Sequence, residues 1–254
     1  MEITSNFKAC LTVVAAIALS ACNSDGGDNS TGTVTITTPP TTAEGFWSGT
    51  TSNGTYSVKT ALAILENGET WGIYTSGNVL AGAFYGNTSS TNTTLSASGL
   101  DFNFSSHKVY PLTFSGAYIA KTSLNATMSE GSKFIGTYGT SYDTPASLPI
   151  LAGSFSGFGV TGATPAQTAD VGISSLGAIT SVGNNCSADG TVTPRASGKN
   201  VFDVSVKFTG TNCALGNGTT ATGNAYYDTE IRQIVVLALN PAKTDGFIYI
   251  GTKH

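Results

Sequence analysis

The side chains best suited to chemistry in this 254-residue chain are four cysteines and two histidines. A cysteine thiol can carry a lipid, form a disulfide or bind a metal, and histidine exchanges protons near neutral pH. The residues concerned are Cys10, Cys22, Cys186, Cys213, His107 and His254. There is no Cys-x-x-Cys pair, and neither histidine is close in sequence to the last two cysteines. This spacing argues against a zinc site or a redox-active thiol pair.

The first 21 residues have the parts of an export signal. Residues 1–8 are polar and include Lys8, and residues 9–21 are mostly apolar but too short to cross a hydrocarbon core of about 30 Å. The run ends in Leu19-Ser20-Ala21-Cys22, which resembles the lipobox of bacterial lipoproteins. The resemblance implies removal of residues 1–21 and acylation, for example by palmitate, of Cys22. The alternative is an ordinary secretory signal followed by an unrelated cysteine.

The residues after Cys22 predict where the protein resides and how far it reaches. Asn23 follows the cysteine, and in the enterobacterial sorting pattern an Asp there favours the inner membrane, so Asn favours the outer membrane. Residues 22–44 are rich in Ser, Thr, Gly, Asp and Pro and are predicted to form a flexible tether. Such a tether has an r.m.s. length of ~26 Å. An edge strand over residues 33–38 is the alternative.

Cys186 and Cys213 are predicted to form a disulfide. Cys10 is lost with the signal and Cys22 is lipidated, so these two remain in an oxidising compartment. By the chain-entropy model, closing a loop of this length stabilises the fold by roughly 3.5 kcal/mol.

The composition favours an extracytoplasmic β-protein and excludes nucleic-acid binding. Charged residues are only 10% of the chain while 40% is hydrophobic, and the net charge is −4. Nucleic-acid binding requires clustered Lys and Arg to neutralise phosphates, and the sequence has no basic run. No apolar run after residue 22 is long enough for a membrane-spanning helix.

From residue 46 onward, short segments of period two alternate with turn signals, which predicts an all-β fold of antiparallel sheets. Asn67-Gly68 is the strongest hairpin signal and favours a type I′ turn. Asn53-Gly54, Asp189-Gly190 and Asp245-Gly246 are further predicted turns. The predicted strands cover 56–65, 71–74, 79–85, 100–104, 112–119, 134–138, 154–160, 169–174, 178–182, 190–193, 202–208, 222–227, 233–239 and 247–251. About eight short strands per half must close or stack to protect their edges.

Two motifs suggest that the chain is an internal duplication. Gly45-Phe46-Trp47-Ser48-Gly49 is matched by Gly153-Ser154-Phe155-Ser156-Gly157, and Ala97-Ser98-Gly99 is matched by Ala196-Ser197-Gly198. Chance in a Gly- and Ser-rich sequence is the alternative. We therefore predict two small meander barrels or sandwiches, at residues 45–142 and 152–254. A proline-containing linker without secondary structure, residues 143–151, joins them.

The Gly-aromatic start of a small meander barrel resembles the calycins, such as lipocalins and avidins. Gly45-Phe46-Trp47 resembles the lipocalin Gly-x-Trp signature, but the later Thr-Asp-x-x-Tyr motif is absent. With a lipid anchor and a tether, the architecture also resembles surface lipoproteins of the transferrin-binding protein B and factor H binding protein type. These resemblances imply barrels over residues 45–254 and no particular ligand.

The sequence carries no recognisable catalytic set, cofactor signature or metal site. Gly153-Ser154-Phe155-Ser156-Gly157 has the wrong spacing for a nucleophile elbow, and a Ser-His-acid system would have to use His107. The carboxylate pairs Glu66/Glu69 and Asp228/Glu230 fall at predicted turns, where solvation is expected. Asp25 and Asp28 lack the closing Glu of a calcium loop. The prediction is a protein that is not an enzyme and uses no cofactor or metal.

We therefore expect a non-catalytic binding or adhesion module in the periplasm or on the cell surface, bound to the outer membrane by its lipid. The alternative is a calycin-like carrier or inhibitor that holds a small apolar ligand or a glycan in a barrel. The partner is a protein, a glycan or a small apolar molecule, and not nucleic acid. Trp47 and Trp71 are the candidate ligand contacts, although period-two aromatics in a barrel commonly belong to the core.

Overall fold

The computed structural model describes residues 42–183 and 185–254. The predicted signal peptide, the predicted lipidation site Cys22 and the alternative strand at 33–38 lie outside the described residues, as does most of the predicted tether. The described chain is almost entirely β and forms two closed barrels, each of eight antiparallel strands in sequential order. The all-β prediction with two small lobes is confirmed.

The first barrel is an up-and-down meander that closes by pairing its first strand with its last. Its strands are β1 (Gly45–Ser52), β2 (Ser57–Ile64), β3 (Glu69–Ser76), β4 (Val79–Thr91), β5 (Thr94–Asn103), β6 (Lys108–Ile119), β7 (Ser123–Met128) and β8 (Lys133–Gly139).

The second barrel repeats this arrangement and closes by pairing its first strand with its last. Its strands are β9 (Gly153–Thr161), β10 (Gln167–Ile173), β11 (Ala178–Gly183), β12 (Cys186–Pro194), β13 (Phe202–Thr209), β14 (Thr220–Asp228), β15 (Gln233–Leu239) and β16 (Gly246–Lys253). One compact unit contains both barrels.

Period-two alternation decides which side chains fill each barrel. In β7, Leu124, Ala126 and Met128 are buried inside, whereas Asn125 and Thr127 are exposed. Successive side chains of a strand point to opposite faces, so one row enters the barrel and the other meets solvent.

Strands with apolar residues on both faces form the contact between the barrels. The β15 sequence QIVVLAL places Ile234, Val236 and Ala238 inside the second barrel, while Leu239 packs outward in the contact cluster. A continuous apolar run of this kind is typical of a strand that is covered on both faces. The cluster shared by the two barrels contains Leu65, Trp71, Ala83, Phe102, Tyr142, Val160, Val201, Leu239 and Ile248.

The connector between the barrels is partly helical, so the expectation of a linker without secondary structure was wrong. A single 3₁₀ turn covers Thr140–Asp143, and a four-residue helix, α1, covers Leu148–Leu151. Tyr142 and Leu151 are 1% and 0% exposed, because the first packs in the contact between barrels and the second enters the core of the second barrel. The connector is therefore anchored to both barrels by buried side chains.

The first predicted repeat corresponds to equivalent positions in the two barrels. Gly45 and Gly153 each begin a barrel with φ near 150°, a conformation that favours glycine. Four residues later, Gly49 lies opposite Gly136 and Gly157 lies opposite Gly251, where the closing strands meet. A Cβ on either Gly49 or Gly157 would collide with a carbonyl of the facing strand. The second predicted repeat is wrong, because residues 97–99 lie within β5 whereas residues 196–198 lie in the loop after β12.

Two turn predictions require correction. Asp189-Gly190 lies inside β12 and pairs with both neighbouring strands. Gly190 is there because a Cβ would meet the Ser205 carbonyl, and a close approach of backbones is a second reason for glycine in a strand. Asn67-Gly68 does connect β2 and β3, but only Gly68 has positive φ, at 84°. This conformation fits a type I turn followed by a left-handed glycine rather than the type I′ turn expected.

Candidate functional site

A large cavity lies inside the second barrel. Its volume is about 740 Å³, within the usual range for small-molecule sites. Inward-facing aliphatic and aromatic side chains form its wall, among them Val171, Ile179, Ala188, Val204, Val206, Phe208, Val236 and Phe247. No charged side chain is among the described residues that line this cavity. An eight-stranded barrel is just wide enough to hold one small ligand.

Two polar side chains in this cavity, Tyr249 and Ser181, are hydrogen-bonded to backbone carbonyls. The Tyr249 hydroxyl lies 3.1 Å from the Phe155 carbonyl and 3.3 Å from the Ala169 carbonyl. Burial, together with the nearby Asp170 charge, raises the pKa of Tyr249 to about 12, so the phenol stays neutral. Ser181 donates to the Asp170 carbonyl at 2.7 Å. The wall therefore offers a ligand mainly apolar contact.

The two ends of the second barrel differ. At one end, Leu151 of α1 packs with Phe155, Phe202 and Tyr227 and fills the barrel. The cavity lies towards the other end, where the polar side chains of Thr164, Gln167, Thr168 and Asn212 line it. A ligand with an apolar body and a small polar group could therefore place that group at the rim.

The predicted disulfide between Cys186 and Cys213 is present and lies at this rim. Cys186 begins β12 and Cys213 lies in the β13–β14 loop, residues 210–219. Cys186 lines the cavity together with Asn212, Ala214 and Leu215 of that loop. The disulfide thus holds a wall-forming loop against the end of the barrel.

The first barrel also contains a cavity, of about 520 Å³. Leu62, Phe84, Phe114 and Met128 supply apolar wall. Its lining, unlike that of the second barrel, includes carboxylates. The opposite end of this barrel is filled by Trp47, whose indole donates to the Ala43 carbonyl at 2.9 Å.

A third, more open cleft of about 430 Å³ lies between the barrels. Arg195 lies in it and forms ion pairs with Glu66 at 2.8 Å, Asp203 at 2.6 Å and Glu69 at 3.8 Å. Because these charges satisfy one another across the two barrels, the cluster links the barrels rather than offering a free charge.

The two tryptophans predicted to contact a ligand lie in different parts of the structure. Trp47 is 1% exposed inside the first barrel and lines neither barrel cavity. Trp71 is 4% exposed, packs beside Tyr85 with ring centroids 4.5 Å apart, and borders the cleft between the barrels. A ligand contact by either residue stays a prediction.

The histidines and paired carboxylates are dispersed over the surface. His107 is exposed and its Nδ1 lies 2.9 Å from the Gly162 carbonyl, while Nε2 of His254 lies 2.7 Å from the Ser156 hydroxyl. Asp228 accepts backbone hydrogen bonds from Glu230 and Ile231 in the β14–β15 turn. Among residues 42–183 and 185–254, no three His, Cys, Asp or Glu side chains are grouped in a way that could hold a metal ion.

Within the described part of the chain, no helix is long and apolar enough to cross a bilayer.

Sequence reasoning did not find the residues that form the cavities. The wall of the second barrel consists of ordinary alternating apolar residues, and alternation shows which face is inward but not whether the interior is filled. The Tyr74–Asp101 pair in the first barrel was also missed, since it joins strands 27 residues apart.

The fold and the cavities together define a two-barrel protein in which each closed, eight-stranded barrel encloses a space large enough for a small molecule. No protein-family profile and no curated protein sequence matches the chain. Among solved structures, it is similar to a protein of unknown function from the DUF3598 family of Nostoc punctiforme PCC 73102. The two are 10% identical, the match covers 84% of this chain and 96% of the other, and the TM-score is 0.27. A TM-score this low carries no argument about fold or function.

Proposed function

We propose that this protein is a non-catalytic binding module that carries a small apolar ligand inside its second barrel. The observation that carries this proposal is the cavity of about 740 Å³, whose described lining has no charged side chain. An uncharged ligand would gain roughly 25 cal/mol for each Å² of apolar surface that leaves water. The cavity gives no compensation for burying a charged group.

Three functions can be distinguished by what the structure should contain. An adhesion surface would expose an aromatic patch, but only Tyr56 and Tyr110 are exposed aromatics in the described residues. An enzyme built on His107 would gather buried titratable groups around it, whereas His107 is exposed and contacts a backbone carbonyl. A carrier would contain an apolar cavity. The carrier therefore has the strongest support.

The proposal also assigns a location. Acylation of Cys22 would hold the carrier at the outer membrane, and the tether would let the barrels reach a ligand donor or acceptor a few nanometres away. Metabolic labelling with palmitate tests the anchor: the wild type should be labelled and the Cys22→Ala variant should not. Labelling of the variant would contradict it.

Binding can be tested with N-phenyl-1-naphthylamine, a neutral probe whose fluorescence rises in apolar surroundings. Ala188 faces the cavity from β12, so Ala188→Trp should fill part of the space and weaken binding at least tenfold. Ala178 is exposed on the neighbouring strand, so Ala178→Trp is the matched control and should bind like the wild type. Equal binding by both variants, with folding verified by circular dichroism, would contradict a ligand site in this barrel.

A further inference from the structure

The cavity of the first barrel combines an apolar floor with an acidic wall. Asp101 on β5 and Glu130 in the β7–β8 turn line it, and no Lys, Arg or His is among its described lining residues. By contrast, none of the described residues that line the cavity of the second barrel is charged. The two barrels thus have one topology and different interiors.

Tyr74 fixes the position of the Asp101 carboxylate. The Tyr74 hydroxyl on β3 donates to Oδ1 of Asp101 at 2.8 Å, across the intervening strand β4. Burial, followed by the Asp101 charge, raises the pKa of Tyr74, so the phenol remains a donor. The carboxylate is therefore held in place by a neutral group that does not cancel its charge.

Asp101 has no cationic partner among residues 42–183 and 185–254. The described residues form five salt-bridge contacts, and none involves Asp101. Burial raises the pKa of the Asp101 carboxyl; the Tyr74 hydrogen bond lowers it, and the Glu130 charge raises it further. A half-buried anion in this state is stabilised when a positive charge approaches within a few ångströms.

The rest of the cavity is suited to the apolar body of a ligand that carries such a positive charge. Leu62, Phe84, Phe114 and Met128 form apolar wall, and the thioether of Met128 can adapt its shape to what it contacts. Tyr110 also lines the cavity and is 44% exposed, so its ring is accessible to a cation that enters.

We propose that the first barrel is a second, independent binding site for an amphipathic cation: a protonated amine attached to an apolar or aromatic body. The ammonium pairs with Asp101 beside Tyr74, and the body lies against Phe84, Phe114 and Met128. Glu130 in the β7–β8 turn attracts the cation during entry. The site does not depend on the carrier function of the second barrel.

Three probes with one body and different head groups test this proposal. Calorimetry at neutral pH is carried out with 4-phenylbutylamine, 4-phenylbutan-1-ol and 4-phenylbutanoate, which are cationic, neutral and anionic. The protein is the full chain carrying Ala188→Trp, so that the second barrel does not take up the neutral alcohol. The amine should bind about tenfold more tightly than the alcohol, and the acid should bind most weakly, because charge-assisted hydrogen bonds are the strong ones. Equal affinity for amine and alcohol would overturn the proposal.

Two substitutions locate the amine site. Asp101→Asn keeps an acceptor for Tyr74 and removes the charge. The variant should therefore bind the amine about tenfold more weakly and bind the alcohol as tightly as before. Glu130→Gln, on an exposed turn that tolerates substitution, should weaken amine binding by a smaller factor. Asp189→Asn, on the exposed face of the second barrel, is the control and should change nothing.

A crossed experiment separates this proposal from the carrier proposal. Ala188→Trp should leave amine binding intact while it weakens binding of the neutral naphthylamine probe. If Ala188→Trp abolishes amine binding, or if Asp101→Asn and Glu130→Gln both bind the amine like the wild type, the site in the first barrel is refuted. Failure of the neutral probe alone would refute only the carrier proposal.

Discussion

Asp143 is the residue at which most charged contacts of the connector meet. Its carboxylate accepts from Lys121 at 2.9 Å, Lys199 at 2.8 Å and the Tyr138 hydroxyl at 3.0 Å. Burial alone would raise the pKa of Asp143, but the hydrogen bonds from these three groups lower it to about 2. Because Tyr138 and Lys121 belong to the first barrel and Lys199 to the second, this one side chain links the connector to both.

The lowered pKa of Asp143 makes a prediction about stability and pH. The unfolded carboxyl has a pKa of about 3.9, so its ionised form stabilises the fold above that value, and the gain is lost as pH falls through about 2. Asp143→Asn should lower the free energy of unfolding by about 1–2 kcal/mol at neutral pH, allowing for solvent screening. Urea denaturation at several pH values measures this.

The control for this prediction is Glu230→Gln in an exposed turn, which should change stability by less than ~0.5 kcal/mol. Below pH ~2 the Asp143→Asn variant should be as stable as the wild type. The same loss of stability at acid and neutral pH would show that the Asp143 charge is not the cause.

The β13–β14 loop lines the rim of the cavity in the second barrel, so we expect it to control access to that cavity. Besides the disulfide, the loop is held by hydrogen bonds from Gly210 N to Asn217 Oδ1 at 2.9 Å and from Gly218 N to the Phe208 carbonyl at 2.7 Å. These bonds are internal to the hairpin. The disulfide connects the loop to Cys186 at the start of β12, and the bond from Asn212 N to Asn185 O, at 3.2 Å, connects it to the residue before that strand.

Reducing the Cys186–Cys213 disulfide should loosen this loop without unfolding the barrel. We expect faster hydrogen exchange in residues 210–219, faster release of the naphthylamine probe, and a loss of roughly 2–4 kcal/mol in stability. Stopped-flow dilution of the complex with and without reductant measures the release rate. The double variant Cys186→Ala/Cys213→Ala should release the probe quickly in both conditions; a release rate unaffected by reduction would contradict a gating role.

The connector between the barrels, residues 140–152, combines exposed residues with buried anchors. Thr144, Pro145, Pro149 and Ile150 are exposed, but Tyr142 and Leu151 on either side are buried. Cleavage by a protease requires several residues to leave the surface together.

Limited proteolysis should therefore spare residues 140–152 and begin in exposed loops such as 210–219 after reduction. Tyr142→Ala removes a side chain packed between the barrels and should make the connector cleavable. Mass spectrometry of the first fragments identifies the site. Rapid cleavage of the wild type between residues 143 and 149 would show that the buried anchors do not keep the connector packed against the barrels.

At the scale of the molecule, the sequence predicted the strands better than their closure. Alternation located all eight strands of the second barrel, including β13 and β15. It missed β1 (Gly45–Ser52) and β7 (Ser123–Met128), because each of these strands contains only two large apolar residues. Closure by β1 with β8 depends on residues about 90 positions apart, for example Ser48 opposite Thr137, and no local pattern encodes it.

The candidate sites could not be predicted from the sequence, because a cavity is a property of eight strands at once. Val206 and Ile179 are ordinary core residues in their own strands, and only the barrel shows that they face open space. In the sequence, Asp101 is one carboxylate in a strand. Only the fold shows that the Tyr74 hydroxyl lies 2.8 Å from it. The disulfide was predictable because the number of cysteines and the expected compartment left one pairing.

The central claim is that the second barrel encloses a neutral apolar ligand. Photolabelling with an uncharged alkane that carries a diazirine tests it most directly, because the carbene reacts with the side chains it touches. We predict that labelled peptides map to inward positions of β10–β15, such as Ile179, Ala188 and Val206, and that excess naphthylamine suppresses the labelling. Labels confined to outward-facing residues, or to the first barrel, would contradict the claim.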